Sequence, residues 1–198
     1  MKKSKQYFTT FEKSHQLKDW LAYFSALTWE EYSFTHKSPV LKTYETETTN
    51  CLVKKLFEVI LDYPLPIRIF QSRNERVNGN DLELVLPHKK NKYIRFFCQA
   101  KRIEFDKTYP NGKYHLSRTQ KNDKTEQIER LLKYGENKKG FPIYMFYNYS
   151  EEKIPLDKSV NGNQELYGCT LTSAHYLAAQ YLDNGKMKTA TFKELHPP

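Results

Sequence analysis

This 198-residue chain has no long apolar run, no glycine-rich loop and few cysteines. No stretch of about 18 apolar residues occurs, so a membrane span is not expected. The start Met1-Lys2-Lys3-Ser4-Lys5 is basic, but residues 6–13 have none of the apolar character of a signal peptide, and no leader is expected either. Cys51, Cys98 and Cys169 are odd in number, far apart and free of CxxC spacing, which argues against a disulfide framework and against a zinc cluster. Such cysteines suit a reducing cytoplasm. The six histidines show no HxxxH spacing, and neither a Gly-rich phosphate loop nor a GxSxG or Cys/His arrangement is present. Without a repeat, a low-complexity tract or a clear linker, residues 1–198 are expected to form one domain.

What the chain has in quantity is aromatic side chains and positive charge. Hydrophobic residues reach only 38%, but aromatics make up 15%, so large rings are expected to supply much of the burial. The formal net charge is +9 and the pI about 9.3, a balance that attracts polyanions. A lysine-rich solvated surface is the plainer explanation of the same numbers.

Periodicity outlines the elements. Thr9 and Glu12 have capping-box spacing, and Phe11, Leu17, Trp20, Leu21 and Phe24 follow at helical intervals, predicting a helix in an N-terminal extension of residues 1–42. A second helix over residues 43–62 carries Leu52, Leu56 and Ile60 on one stripe and stops before Pro64. Residues 66–70 read as a strand and Asn78-Gly79-Asn80 as a turn. Leu82, Leu84 and Leu86 alternate with Asp81, Glu83 and Val85, and a second strand over residues 93–103 makes an antiparallel hairpin the economical reading. Asp123 and Glu126 resemble a cap for a helix with Ile128, Leu131 and Leu132. Residues 141–149 are apolar enough for a buried strand, and Thr172 would cap a C-terminal helix over residues 172–184. The expected fold is α/β, one mixed sheet flanked by helices, with an αβββαβ core over residues 43–150.

Chemistry concentrates on the hairpin. Asp81 and Glu83 share a face by strand period, as do Gln99 and Lys101, so a carboxylate, an amide and an ammonium can meet there. Phosphodiester hydrolysis uses such a set: oxygen ligands hold a hard cation that lowers the pKa of bound water, and a lysine orients the nucleophile. Asp81 and Gln99-Ala100-Lys101 on successive strands after an acidic helix resemble the PD-(D/E)xK, restriction-endonuclease-like nuclease superfamily, nearest its QxK, Mrr-like variants. The chain is also similar to an uncharacterised bacterial group with GxDxE and QAK motifs, matched by Gly79 to Glu83, Gln99 to Lys101, and Pro142 through Asn148.

That resemblance implies Asp81 as the central ligand of Mg²⁺ or Mn²⁺, Gln99 giving a side-chain oxygen where a carboxylate is commoner, and Lys101 as the catalytic lysine. A neutral amide attracts Mg²⁺ less than a carboxylate, so a further acid is needed. Glu83 is one candidate. Glu45 is another, since steps of seven and eleven residues put it on the stripe of Leu52 and Leu56; Glu47 lies off that stripe. The basic run Lys89, Lys90, Lys92, Arg95 and Arg102 would grip phosphates beside the scissile bond. Plainer readings exist: Asp81 as a turn residue, Lys101 and Arg102 as a solvated edge, Glu45 as a favourable first-turn charge. The expected activity is thus cleavage of nucleic acid, DNA in preference to RNA, in restriction or phage defence. The alternative is an inactive nuclease-fold module binding nucleic acid or a protein partner, as a homodimer or in a defence complex.

Overall fold

A computed structural model describes residues 17–38, 40–41, 43–62, 67–72, 74–88, 92–116, 126–151, 163–184 and 186–195. The expected cap at Thr9 and Glu12, the cap residue Asp123, and Lys89 and Lys90 lie outside these. In chain order the elements are α1 (Leu17–Lys37), α2 (Glu45–Asp62), β1 (Arg68–Gln71), α3 (Glu75–Asn78), β2 (Leu82–His88), β3 (Lys92–Arg102), β4 (Lys113–His115), α4 (Gln127–Lys138), β5 (Phe141–Tyr147), a 3₁₀ turn (Gln164–Tyr167), β6 (Cys169–Ser173), α5 (Ala174–Tyr181), β7 (Leu182–Asp183), β8 (Lys186–Met187), β9 (Thr189–Thr191) and α6 (Phe192–Leu195). Among the described residues no helix is long and apolar enough to cross a membrane.

The chain is α/β, with a five-stranded mixed sheet in the order β1-β2-β3-β5-β6 and helices against it. The β2–β3 hairpin forms as its alternation predicts, in a register running from Leu82 opposite Cys98 to His88 opposite Lys92. β3 pairs with β5 in parallel, and α4 lies in the crossover that parallel pairing requires. One face of the sheet is apolar: Leu84, Phe96, Ile143 and Met145 meet Trp20, Leu52 and Leu56 of α1 and α2. On α1, Trp20, Phe24, Thr28 and Tyr32 are buried at four-residue steps, the stripe a packed helix needs. The opposite face meets α4, where Phe97 packs edge-on against Tyr134 at 4.8 Å. The buried apolar residues form one cluster extending from Trp20 to Phe192.

The structure departs from the expectations at several points. Thr172 does not cap a helix: it pairs with Tyr144 inside β6, and Ser173 is the N-cap of α5. The chain does turn at Asn78-Gly79-Asn80, but as the end of a short helix that was not foreseen: Asn78 ends α3 and Gly79 (φ 75°) is its left-handed cap. β6 itself went unpredicted, as did the pairing of β4 with β9. β6 is tied to α1 by Ser25, whose Oγ donates to the Leu166 carbonyl (2.8 Å) and accepts from the Cys169 N–H (2.7 Å). Gly168 permits that approach, since a Cβ there would lie 1.9 Å from the Ser25 carbonyl oxygen.

Candidate active site

The hairpin delivers its polar residues to one end of the sheet. Asp81 immediately precedes β2, and its backbone is pinned on both sides: its N–H donates to the Cys98 carbonyl (2.8 Å), and its carbonyl accepts from Ser72 N–H (2.7 Å). Its side-chain Oδ2 accepts from Gln99 Nε2 (2.6 Å) and from the Ala100 N–H (2.7 Å). Gln99 and Lys101 alternate on β3 toward α4 and are 0% and 2% exposed. A buried ammonium must find partners, because leaving it bare costs several kcal/mol. Lys101 Nζ donates to Gln127 Oε1 (2.9 Å), and Gln127 Nε2 donates to Gln99 Oε1 (2.7 Å) and Glu75 Oε1 (2.7 Å).

The orientation of both amides follows from their neighbours. Lysine can only donate and a carboxylate only accept, so Gln127 must show its oxygen to Lys101, and Gln99 must show its nitrogen to Asp81. The result is a directional chain from ammonium through two amides to carboxylate, with a branch to Glu75. Gly79 lets this end of the sheet close under α4, since a Cβ there would meet the Gln127 carbonyl oxygen at 2.6 Å and the Leu131 nitrogen at 2.8 Å.

A cleft of about 110 Å³ opens beside the network, lined by Glu45, Thr46, Thr49 and Asn50 of α2, Gln71, Ser72, Glu75 and Asp81. Glu45 enters it from the first turn of α2, with Oε2 accepting the Arg102 N–H at 3.2 Å. Burial first, then the Glu75 and Glu45 carboxylates, push the Asp81 carboxyl up to about 7; the Ala100 N–H and the Lys101 ammonium act the other way. Negative charge is therefore in excess in this cleft.

The expected set is partly assembled. Asp81, Gln99 and Lys101 join one network, and Glu45 shares the cleft with Asp81. Glu83 does not reach the cleft: its Oε1 takes the Arg95 Nε at 2.7 Å, an ion pair closed one rung away. Gln99 is not among the residues lining the cleft: its oxygen accepts from Gln127 and its nitrogen faces Asp81. Of the basic run, the described members Lys92, Arg95 and Arg102 have their side chains placed or engaged away from the cleft. Lys92 is exposed but pairs with His88 at the far end of the hairpin, roughly 23 Å along β2 from Asp81 at about 3.3 Å per residue. Arg95 is occupied by Glu83, and Arg102 donates to the Thr43 carbonyl (2.8 Å) and Glu104 Oε1 (3.0 Å).

Two members were missed, Glu75 and Gln127. Glu75 sits six residues before Asp81 in a polar stretch that reads as loop; Gln127 is the first residue of α4, and its proximity to the Glu126–Glu129 capping pair was its only signal. The donors in the cleft fit a hard divalent ion in chemical type, since Asp81, Glu75 and Glu45 offer carboxylate oxygens in a place short of positive charge. Among the described residues no three Asp, Glu, His or Cys side chains form a ready cage. That is compatible with Mg²⁺, which is commonly held through one or two carboxylates and keeps several waters.

Fold and site together define an α/β protein whose mixed sheet ends in a carboxylate-lined cleft wired to a buried lysine. Residues 17–198 match the family of unknown function DUF6615, and the chain belongs to that family. No curated protein matches the chain.

Proposed function

We propose that the protein is a metal-dependent nuclease that hydrolyses nucleic-acid phosphodiesters, DNA before RNA, in restriction or phage defence, with the cleft at Asp81 as its active site. The observation that carries this reading is the Lys101–Gln127–Gln99–Asp81 chain opening on a cleft with two further carboxylates. A structural role alone leaves it unexplained why one small region holds Asp81 beside two further carboxylates and a buried lysine that has no direct acidic partner among the described residues.

Asp81, with Glu75 or Glu45, would hold Mg²⁺ or Mn²⁺ in the cleft. When bound, such an ion lowers the pKa of a water and offsets charge on the phosphate. Gln99 and the Ala100 N–H fix the Asp81 carboxylate, so little rearrangement is needed on binding. Gln127 fixes Lys101, whose positive charge, preset in a site of low dielectric, stabilises the negative charge that grows on the phosphate oxygens. The net charge of +9 suits a polyanionic substrate.

The neutral Gln99 in place of an acid favours a second reading, an inactive nuclease-fold module that binds nucleic acid or a protein partner, including a second copy of itself. Incubation with plasmid and single-stranded substrates in Mg²⁺ or Mn²⁺ separates the two. Cleavage abolished by chelator, by Asp81→Ala and by Lys101→Ala is the expected result. Cleavage that survives both substitutions overturns the site, and binding without any cleavage leaves the second reading.

A further inference from the structure

Arg102 joins the cleft to a second cavity. Its backbone N–H holds Glu45, while its guanidinium lines a pocket of about 310 Å³ with Thr43, Glu104, Phe105, His36 and Leu41. That volume is at the lower end of small-ligand sites, about 300–1,000 Å³. Its walls are mixed. The His36 and Phe105 rings meet at 4.2 Å between centroids with their planes tilted by 46° and give the wall an aromatic character, and Leu41 also lines the pocket, with 46% of its surface exposed. Arg102 and Glu104, bonded to each other at 3.0 Å and with Glu104 Oε2 also 3.5 Å from His115 Nε2, put a donor and an acceptor side by side. Tyr44, half exposed and next in sequence to Glu45, carries the Arg102 guanidinium 6.0 Å from its ring centroid.

A phosphate needs positive charge alone and would not call for aromatic walls or a carboxylate; a nucleobase matches all three features. Stacking on aromatic faces is tolerant of base identity, and edge donors and acceptors answer to fixed polar groups. A base within a duplex cannot enter without being flipped out, which costs a few kcal/mol and is least costly for unpaired nucleotides. We propose that this pocket receives the base of an unpaired nucleotide adjoining the scissile phosphate, so that the substrate is single-stranded or locally unpaired nucleic acid. The inference rests on the nuclease reading for the position of the phosphate, but not for the pocket's capacity to bind a base.

The test measures binding in chelator, with fluorescein-labelled short single strands of DNA and RNA and a blunt duplex as probes. Leu41→Trp fills the rim from an exposed position. It is expected to weaken single-strand affinity by roughly tenfold, the scale of losing one stacked base, and to leave duplex affinity unchanged. A nucleoside monophosphate should compete with the strand for the wild-type protein, and ribose phosphate, which has no base, should not. Equal loss for strand and duplex, no loss for either, or equal competition by ribose phosphate overturns the proposal. Cleavage by the wild type is read separately: if it is absent while Leu41-sensitive binding remains, the nuclease reading fails and the base pocket stands. If cleavage is present and indifferent to Leu41→Trp, the pocket fails alone.

Discussion

Two acidic residues stand two positions apart on the same hairpin and the same face of the sheet, yet their surroundings differ in kind. Glu83 meets Arg95 at 2.7 Å and is neutralised where it stands. Asp81 meets an amide and a backbone N–H, with its nearest other charges including two more carboxylates, and is pushed up to about 7. Strand period brings both acids to one face; what separates them is which side chain the neighbouring strand offers. Arginine opposite an acid closes a structural pair, whereas glutamine holds an acid in place without cancelling its charge. An acid kept fixed and uncompensated is available to a cation.

The largest expected effect breaks this contrast directly. Asp81→Asn should lower Mg²⁺-dependent cleavage by about a thousandfold or more, since it removes the central anionic ligand. Glu83→Gln should change the same rate by less than about threefold, because its carboxylate is not in the cleft. Plasmid-cleavage rates at saturating Mg²⁺ measure both. Equal losses would mean that Glu83 takes part in the chemistry as fully as Asp81, and the contrast between the two acids would fail.

The second effect is on stability and has the opposite sign. Asp81 has a folded-state value of about 7, above its ordinary 3.8, so the folded protein holds this proton more tightly than the unfolded chain does. Below about pH 4 both states are protonated and the group is neutral to stability; from there to about 7 the cost of ionising it in place grows, and above 7 it is fully present. Asp81→Asn keeps an oxygen to accept from Gln99 and Ala100 and removes that cost. In chelator at pH 8 it should stabilise the fold by on the order of a few kcal/mol, a gain that vanishes near pH 4. Urea unfolding at the two pH values reads the difference, and a less stable Asp81→Asn protein at pH 8 would refute the account of the charge.

Saturating Mg²⁺ or Mn²⁺ should relieve the same excess charge in the wild type. A ligand at a hundred times its Kd stabilises by about 2.7 kcal/mol, which is a rise in Tm of several degrees at this chain length. Asp81→Asn should lose most of that rise and Glu83→Gln none of it. An equal rise in all three proteins would place the ion elsewhere.

How far the sequence revealed these relations depends on the range over which each is set. Leu82, Leu84 and Leu86 alternate, and that local pattern defined β2, its pairing with β3 and the face that Asp81, Gln99 and Lys101 share. The period of α2 likewise brought Glu45 to the cleft. The rest was invisible for physical reasons. Glu75 is held by a single-turn helix too short to show a period, and its position depends on Gln127, 52 residues away. Gln127 looks like an ordinary polar residue at a helix start until α4 docks over β3. β6 is five residues of mixed polarity whose pairing comes from β5. The fate of Glu83 turned on a diagonal neighbour, Arg95, that strand alternation alone does not rank above the cleft.

Gln127 sharpens the contrast at the next scale down. It orients Lys101, Gln99 and Glu75 without lining the cleft, so it is a positioning residue. Gln127→Ala should lower kcat by roughly ten- to a hundredfold with KM changed little, the range for loss of an orienting outer partner. Addition of more Mg²⁺ should not restore it. A loss in KM alone would mean that Gln127 serves substrate binding instead.

The smallest effect concerns the closed pair. Glu83 and Arg95 have side chains 15% and 39% exposed, so water screens much of their attraction. Their geometry is good and Arg95 also lies 5.3 Å from the Phe97 ring centroid, which fixes the guanidinium before the carboxylate binds it. A double-mutant cycle of Glu83→Gln and Arg95→Met should therefore give a coupling of about 0.5–1 kcal/mol that shrinks in high salt. Cleavage by all three variants should remain near the wild-type rate. If the coupling were several kcal/mol, or if breaking the pair switched activity off, Glu83 would belong to the same cooperative network as Asp81, and the two acids would no longer be separable.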